Sequence, residues 1–154
     1  MGHAYETIVA WQKAGDLTVE IYRVTDQFPT SEMYGLTSQM RRAAVSVPAN
    51  IAEGAARQYM NEYQHYLYVA KSSLPELAYY IHLTCRLRLI SEATRSRLDG
   101  LRSDTGRPLQ GLIAWVEQQS ARGVVLNKRI SDASEFYATC RELSTDNRQR
   151  PTDN

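Results

Sequence analysis

Between about residues 7 and 119, apolar residues recur at the alternating four- and three-residue spacing of helices that each bury one stripe. Ala10, Ala14, Leu17, Ile21, Val24 and Phe28 form the first seam, and Lys13, Asp16, Glu20, Arg23 and Asp26 take the other side. This predicts a helix over about 7–27, stopped by Pro29, with Thr30 or Ser31 capping the next. Leu36, Met40, Ala43, Val47 and Ile51 predict a second helix over about 32–56. Pro48 removes a backbone donor inside it, so the helix kinks near Ala44 to Val47 or splits in two. Tyr63, Leu67, Ala70, Leu74, Leu77, Ile81 and Thr84, with Pro75 among them, predict a third over about 61–88. Leu98, Leu101, Thr105, Leu109, Leu112 and Val116 predict a fourth over about 92–119, N-capped by Ser91 and kinked or broken at Gly106-Arg107-Pro108. No stretch alternates as a half-buried strand does. The expected fold is all-α: residues 1–120 form an up-down-up-down four-helix bundle. Residues 121–154 form an extension, with a short helix over 131–143 and a disordered end, STDNRQRPTDN.

Helix 2 is too apolar for a single bundle. Residues 33–56 carry only three charges, Arg41, Arg42 and Glu53, where a bundle helix normally shows a charged outer face. Beside the seam runs a polar stripe of Gln39, Arg42, Ser46, Asn50 and Glu53, and beyond it lie Val45, Ala49 and Ala52. One bundle has one core, so a second buried face implies a second subunit and a homo-oligomer. A buried polar stripe needs partners, because each unsatisfied group costs about 1–3 kcal/mol. Arg42 and Glu53 are therefore expected to pair across or between helices. The alternative is that the stripe binds a ligand or nucleic acid.

Composition narrows the function classes. A chain of 154 residues that is 43% hydrophobic builds one domain. Its 18 Lys and Arg against 17 Asp and Glu leave a net charge of +1, so any nucleic-acid patch must be local. Such a patch is visible. Arg86, Arg88, Arg95 and Arg97 flank the turn between helices 3 and 4, with Glu92 as the one acid there. In this topology that turn shares an end with the turn between helices 1 and 2, and Arg41 and Arg42 lie about 14 Å from it at 1.5 Å per residue. Arginine suits bidentate phosphate contact; the plainer reading is a solvated turn charged for solubility.

The N-terminus has neither a secretory pattern nor, with Glu6 in place of Ser or Thr, a myristoylation signal. No apolar run is long enough to span a membrane. Cys85 and Cys140 belong to no CxxC pair, so a cytoplasmic protein with reduced thiols is expected. Nucleotide-loop, zinc-protease and hydrolase signatures are absent. Glu62-x-x-His65 is half of a di-iron motif, but Tyr79 stands where the second half would need Glu, three before His82. No catalytic residue, metal or cofactor is expected. Tyr59, Tyr63, Tyr66, Tyr68, Tyr79 and Tyr80 crowd helix 3 as core and interface aromatics, with base stacking an alternative for Tyr59 and Tyr68.

The segment PTSEMYGLTSQMRRAAVSVPANIAEG, Pro29 to Gly54, closely resembles the signature of the bacterial four-helix-bundle proteins encoded in intervening sequences of large-subunit ribosomal RNA genes. The same superfamily includes the accessory variability determinants of diversity-generating retroelements. The resemblance runs from about residue 5 to 118. It takes in Val9-Ala10-Trp11-Gln12-Lys13-Ala14 and KSSLPEL, Lys71 to Leu77. Lys71-Ser72 in place of a glycine, and Pro75 in place of a helix former, depart from the pattern and imply a local change in the path of helix 3. The resemblance implies a ring-like homopentamer without enzymatic activity. It implies binding to structured RNA, to a reverse transcriptase, or to both; repeated around such a ring, the arginine-bearing ends would form a shared rim. The competing expectation is a protein-protein scaffold with no nucleic-acid role.

Overall fold

The computed structural model describes residues 4–123. It holds four long helices: α1 (Val9–Thr25), α2 (Ser38–Ala55), α3 (Met60–Arg86) and α4 (Glu92–Ala121), with no strand among the described residues. Each packs on two neighbours, α1 and α3 both lying between α2 and α4, while the diagonal pairs barely meet. Two side-chain contacts fix the direction of travel. Arg97, early in α4, bonds Glu20, late in α1, and Tyr68 of α3 bonds Glu117, late in α4. The α1–α2 and α3–α4 connections therefore share one end of the bundle.

The predicted seams make the core. Ala14, Leu17 and Ile21 meet Met40, Val47 and Ile51, and Tyr63, Leu67, Leu77 and Ile81 close on Leu98, Leu109 and Val116, all without exposure. Each such large side chain contributes roughly 1.5–3 kcal/mol relative to an exposed one. Val24, Phe28 and Leu101 pack at its edge, and Ala44 and Ile113 join it.

All three internal prolines lie within continuous helices, so α2 is not split at Pro48, α4 is not broken at Gly106-Arg107-Pro108, and α3 runs unbroken through Lys71, Ser72 and Pro75. At Pro48 the physical reason is visible. Proline lacks the N–H that would donate to the carbonyl of Ala44, four residues earlier. The Thr18 hydroxyl of α1 reaches that carbonyl at 3.0 Å, sharing its one proton between it and the Ala14 carbonyl. The same hydroxyl lies 2.7 Å from the Ala14 carbonyl of its own helix. Pro75 is exposed, and its outward surface can be served by water.

The entry to α2 also differs from expectation. The helix begins at Ser38, after a 3-10 turn (Thr30–Glu32) and a wide π-type turn (Met33–Thr37) in which Gly35 leaves helical geometry (φ −100°, ψ −116°). Neither Thr30 nor Ser31 caps it. The Glu32 carboxylate accepts from the Leu36 N–H at 3.4 Å, and a Cβ on residue 35 would press on that carboxylate at 3.0 Å. At α4 the expected cap is present, the Ser91 Oγ accepting from the Thr94 N–H at 3.1 Å. The short helix expected over 131–143 and the end beyond it lie outside the described residues.

Candidate functional site

The outer surface of α2 is the first candidate. Val45 is 40% exposed, Ala49 and Arg42 are exposed, and Ala52 is partly so. The polar stripe beside them is only partly a network. The Asn50 amide donates to the Ser46 carbonyl at 2.7 Å and to its hydroxyl at 3.1 Å. The Ser73 hydroxyl of α3 donates to the Ser46 hydroxyl at 2.9 Å, tying α2 to α3. Gln39 is half-buried. The expected Arg42–Glu53 pair does not form within the chain. Glu53 is exposed and pairs with Arg57, four residues on, which also reaches the Tyr66 hydroxyl at 2.5 Å. More than two helical turns of α2 separate Glu53 from Arg42, and Arg42 has no carboxylate partner among the described residues.

Structure extends this surface beyond α2. Tyr22 of α1 and Met33 of the entry turn are exposed large hydrophobic residues. Tyr22, Met33, Thr37, Ser38, Arg42 and Val45 line part of a groove of about 580 Å³. The seam pattern could not reveal it. The groove joins side chains of two helices that the heptad analysis treats separately, and Tyr22 sits next to a seam residue rather than on a second stripe.

The arginine-rich end is the second candidate. The topology brings all six predicted arginines toward the end that holds the α1–α2 and α3–α4 connections, and Arg41 and Arg42 stand in the first turn of α2 because that helix starts at Ser38. Carboxylates come with them, all but Glu92 from outside the local window. The Arg41 Nε donates to the Thr25 hydroxyl at 2.8 Å, its Nη2 lies 3.7 Å from Asp26, and its guanidinium covers the Tyr22 ring at 4.6 Å. Arg95 lies 3.4 Å from Glu92 and 3.9 Å from Asp99. Arg97 pairs with Glu20, whose side chain is only 12% exposed. Arg42, Arg86 and Arg88 are exposed and have no such partner among the described residues. Arg86 closes α3, where a cation favours the helix dipole. Arg88 follows in the left-handed region (φ 60°).

Tyr34 was missed by the sequence pattern. It is 92% exposed at the same end, lying off the seam that Leu36 belongs to, and only the irregular turn displays it. Tyr59 and Tyr68 are exposed on α3 and before it. Tyr68 bonds Glu117, which raises its pKa above the ordinary tyrosine value. Tyr66 is raised likewise, first by its bond to Glu53 and then by burial. Burial, then the Glu92 carboxylate, raise the Cys85 thiol, which works against thiolate reactivity. His65 stacks edge-on against Tyr66, and among the described residues no three His, Cys, Asp or Glu cluster as metal ligands would. No described helix is long and apolar enough to cross a membrane.

A family profile described as 23S rRNA-intervening sequence protein matches residues 6–111. A solved structure from Bacteroides thetaiotaomicron VPI-5482, a protein of unknown function from the S23 ribosomal protein family, shares the fold with a TM-score of 0.63 and 20% identity. The alignment covers 68% of this chain and 98% of that one. No curated protein matches. The profile match begins just before α1 and ends inside α4, taking in the entry turn, the α2 surface and the arginine-rich connection. On that span this chain belongs to the 23S rRNA-intervening sequence protein family.

Proposed function

We propose that the chain acts as a non-enzymatic homo-oligomer, a ring in the manner of a pentamer, that holds structured RNA on its arginine-bearing ends. The observation that carries this reading is the presence of two surfaces on one small bundle. Val45, Ala49 and Ala52 leave α2 with an outer face poor in charge, and Arg42, Arg86 and Arg88 stand without carboxylate partners among the described residues near one end. Burying the first surface between copies repeats the second around the assembly, and repeated weak phosphate contacts then act together. A reverse transcriptase carrying such an RNA is the protein partner in this reading. The ribosomal family of the structural neighbour is in keeping with an RNA setting.

Light scattering and filter retention test it together. The expected outcome is a mass several times 17.5 kDa and retention of a folded RNA that weakens steeply between low and physiological salt. Combined Arg42→Ala, Arg86→Ala and Arg88→Ala substitutions should remove most of that retention, and Arg86→Ala with Arg88→Ala, away from the α2 face, should remove part of it without changing the mass. A sharp monomer at micromolar concentration refutes the ring, and retention indifferent to salt and to the three substitutions refutes the charged end. The pairing of Arg41, Arg95 and Arg97 favours a second reading, a scaffold that recruits protein alone. An intact oligomer with no RNA retention selects it.

A further inference from the structure

We propose that Tyr34, Arg86 and Arg88 form a subsite for unpaired nucleotides, the tyrosine ring stacking on a base and the two guanidinium groups holding the flanking phosphates. This rests on the RNA-binding reading above and adds what kind of RNA the end selects.

The first observation is Tyr34. Large aromatic side chains bury most of their area in an ordinary fold, yet this one is 92% exposed. Its backbone is held in place by a built turn. Glu32 accepts from Leu36 N–H, Gly35 supplies the non-helical residue, and the wide turn that results sits directly before α2. An exposed ring on a defined backbone offers a π-face to any base, whatever its sequence.

The second observation is Arg88, and it is independent of the first. The α3 terminus closes with the Leu89 N–H on the Thr84 carbonyl at 2.9 Å and the Arg88 N–H on the Cys85 carbonyl at 3.0 Å. That closure places residue 88 at φ 60°, the position where helices favour glycine because a Cβ is strained there. The Arg88 side chain makes no hydrogen bond or ion pair among the described residues that would offset the strain. An arginine where glycine would meet the closure without strain points to a use for the side chain.

The register of α2 against α3 sets both features at one level. Ser46 bonds Ser73, and Gly54 lies against Tyr63, so the helices run antiparallel. Moving back from Ser46 to Ser38 on α2 corresponds to moving on from Ser73 to Ile81 on α3. The turn bearing Tyr34 therefore lies beyond the level of Ile81, where α3 runs out through Arg86 into Arg88.

The probes are an RNA hairpin with an adenosine-rich loop and its stem alone as a blunt duplex. Tyr34→Ala should weaken hairpin binding about tenfold, the weight of one stacked base, and leave duplex binding and the oligomer mass unchanged. Tyr34→Phe should bind as the wild type does. Arg88→Gly should raise the melting temperature while weakening the hairpin, with the salt slope falling by about 0.7 for each single-strand phosphate no longer neutralised. Arg88→Lys should retain the slope. The assignment is overturned by Tyr34→Ala binding the hairpin normally, by Tyr34→Phe failing as badly as Tyr34→Ala, or by a changed mass, which would make Tyr34 an interface residue. It is equally overturned by Arg88→Gly binding normally. A wild-type chain that retains neither probe removes the RNA reading and this subsite together, whereas normal wild-type binding with unaffected variants removes the subsite alone.

Discussion

Thr18→Val tests how α2 passes through Pro48. The substitution keeps shape and removes the one hydroxyl that reaches the Ala44 carbonyl, at 3.0 Å. Ala44 has no exposure, so water cannot take over, and an unsatisfied buried carbonyl costs about 1–3 kcal/mol. Pro48→Ala changes the balance by restoring an N–H at residue 48, which can donate to Ala44 in the ordinary helical way. Thr18→Val should therefore cost about 1–3 kcal/mol with Pro48 in place. In the Pro48→Ala background the cost should fall toward zero, a coupling of about 1–2 kcal/mol. Urea unfolding followed by far-ultraviolet circular dichroism measures all four chains, at one protein concentration because association shifts apparent stability. Equal costs of Thr18→Val in the two backgrounds refute the reasoning.

Two glycines should respond oppositely to alanine. At Gly54 a Cβ would stand 2.6 Å from the Tyr63 ring and 2.9 Å from the Tyr66 Cβ, so Gly54→Ala should lose about 1–3 kcal/mol by overpacking. At Gly100 nothing lies within 4 Å, and Gly100→Ala should gain about 0.5–1 kcal/mol in the same unfolding assay. Val45→Glu should lower the mass seen by light scattering toward 17.5 kDa, since it places a charge on the face proposed to be buried between copies; an unchanged mass moves the interface elsewhere. Stability should fall as pH rises above the ordinary tyrosine value of 10.0. The folded chain holds the Tyr66 and Tyr68 protons more tightly than the unfolded chain, so their contribution is complete below 10.0 and is lost on passing through the raised folded values. Glu117→Gln should bring the Tyr68 step in tyrosinate absorbance back toward 10.0, and an unmoved step contradicts the assigned cause.

Four helices, their order and their buried stripes were legible in the residue pattern, because apolar periodicity is a local property and burial follows it directly. Ala14, Leu17, Ile21, Met40, Leu67 and Leu109 could be assigned to the core from spacing alone, and Ser91 to a cap from its place before Glu92. The low charge of α2 could be read the same way, as could the arginines around the α3–α4 connection. What tertiary structure decided is the set of partners. Proline spacing argued for a kink or split at Pro48, but the donor that lets α2 continue comes from Thr18 of another helix. A window around residues 86–97 shows four arginines and one acid, yet Glu20 from α1 takes Arg97, and Asp99, just beyond that window, shares Arg95. Asp26 and Thr25 likewise take Arg41. Tyr34 has no periodic signal at all, and only the turn before α2 leaves it bare. Periodicity says which side of a helix meets the core; hydrogen bonds and charges are satisfied by whatever the packed neighbours bring within about 3–4 Å, and that is settled only when the helices come together.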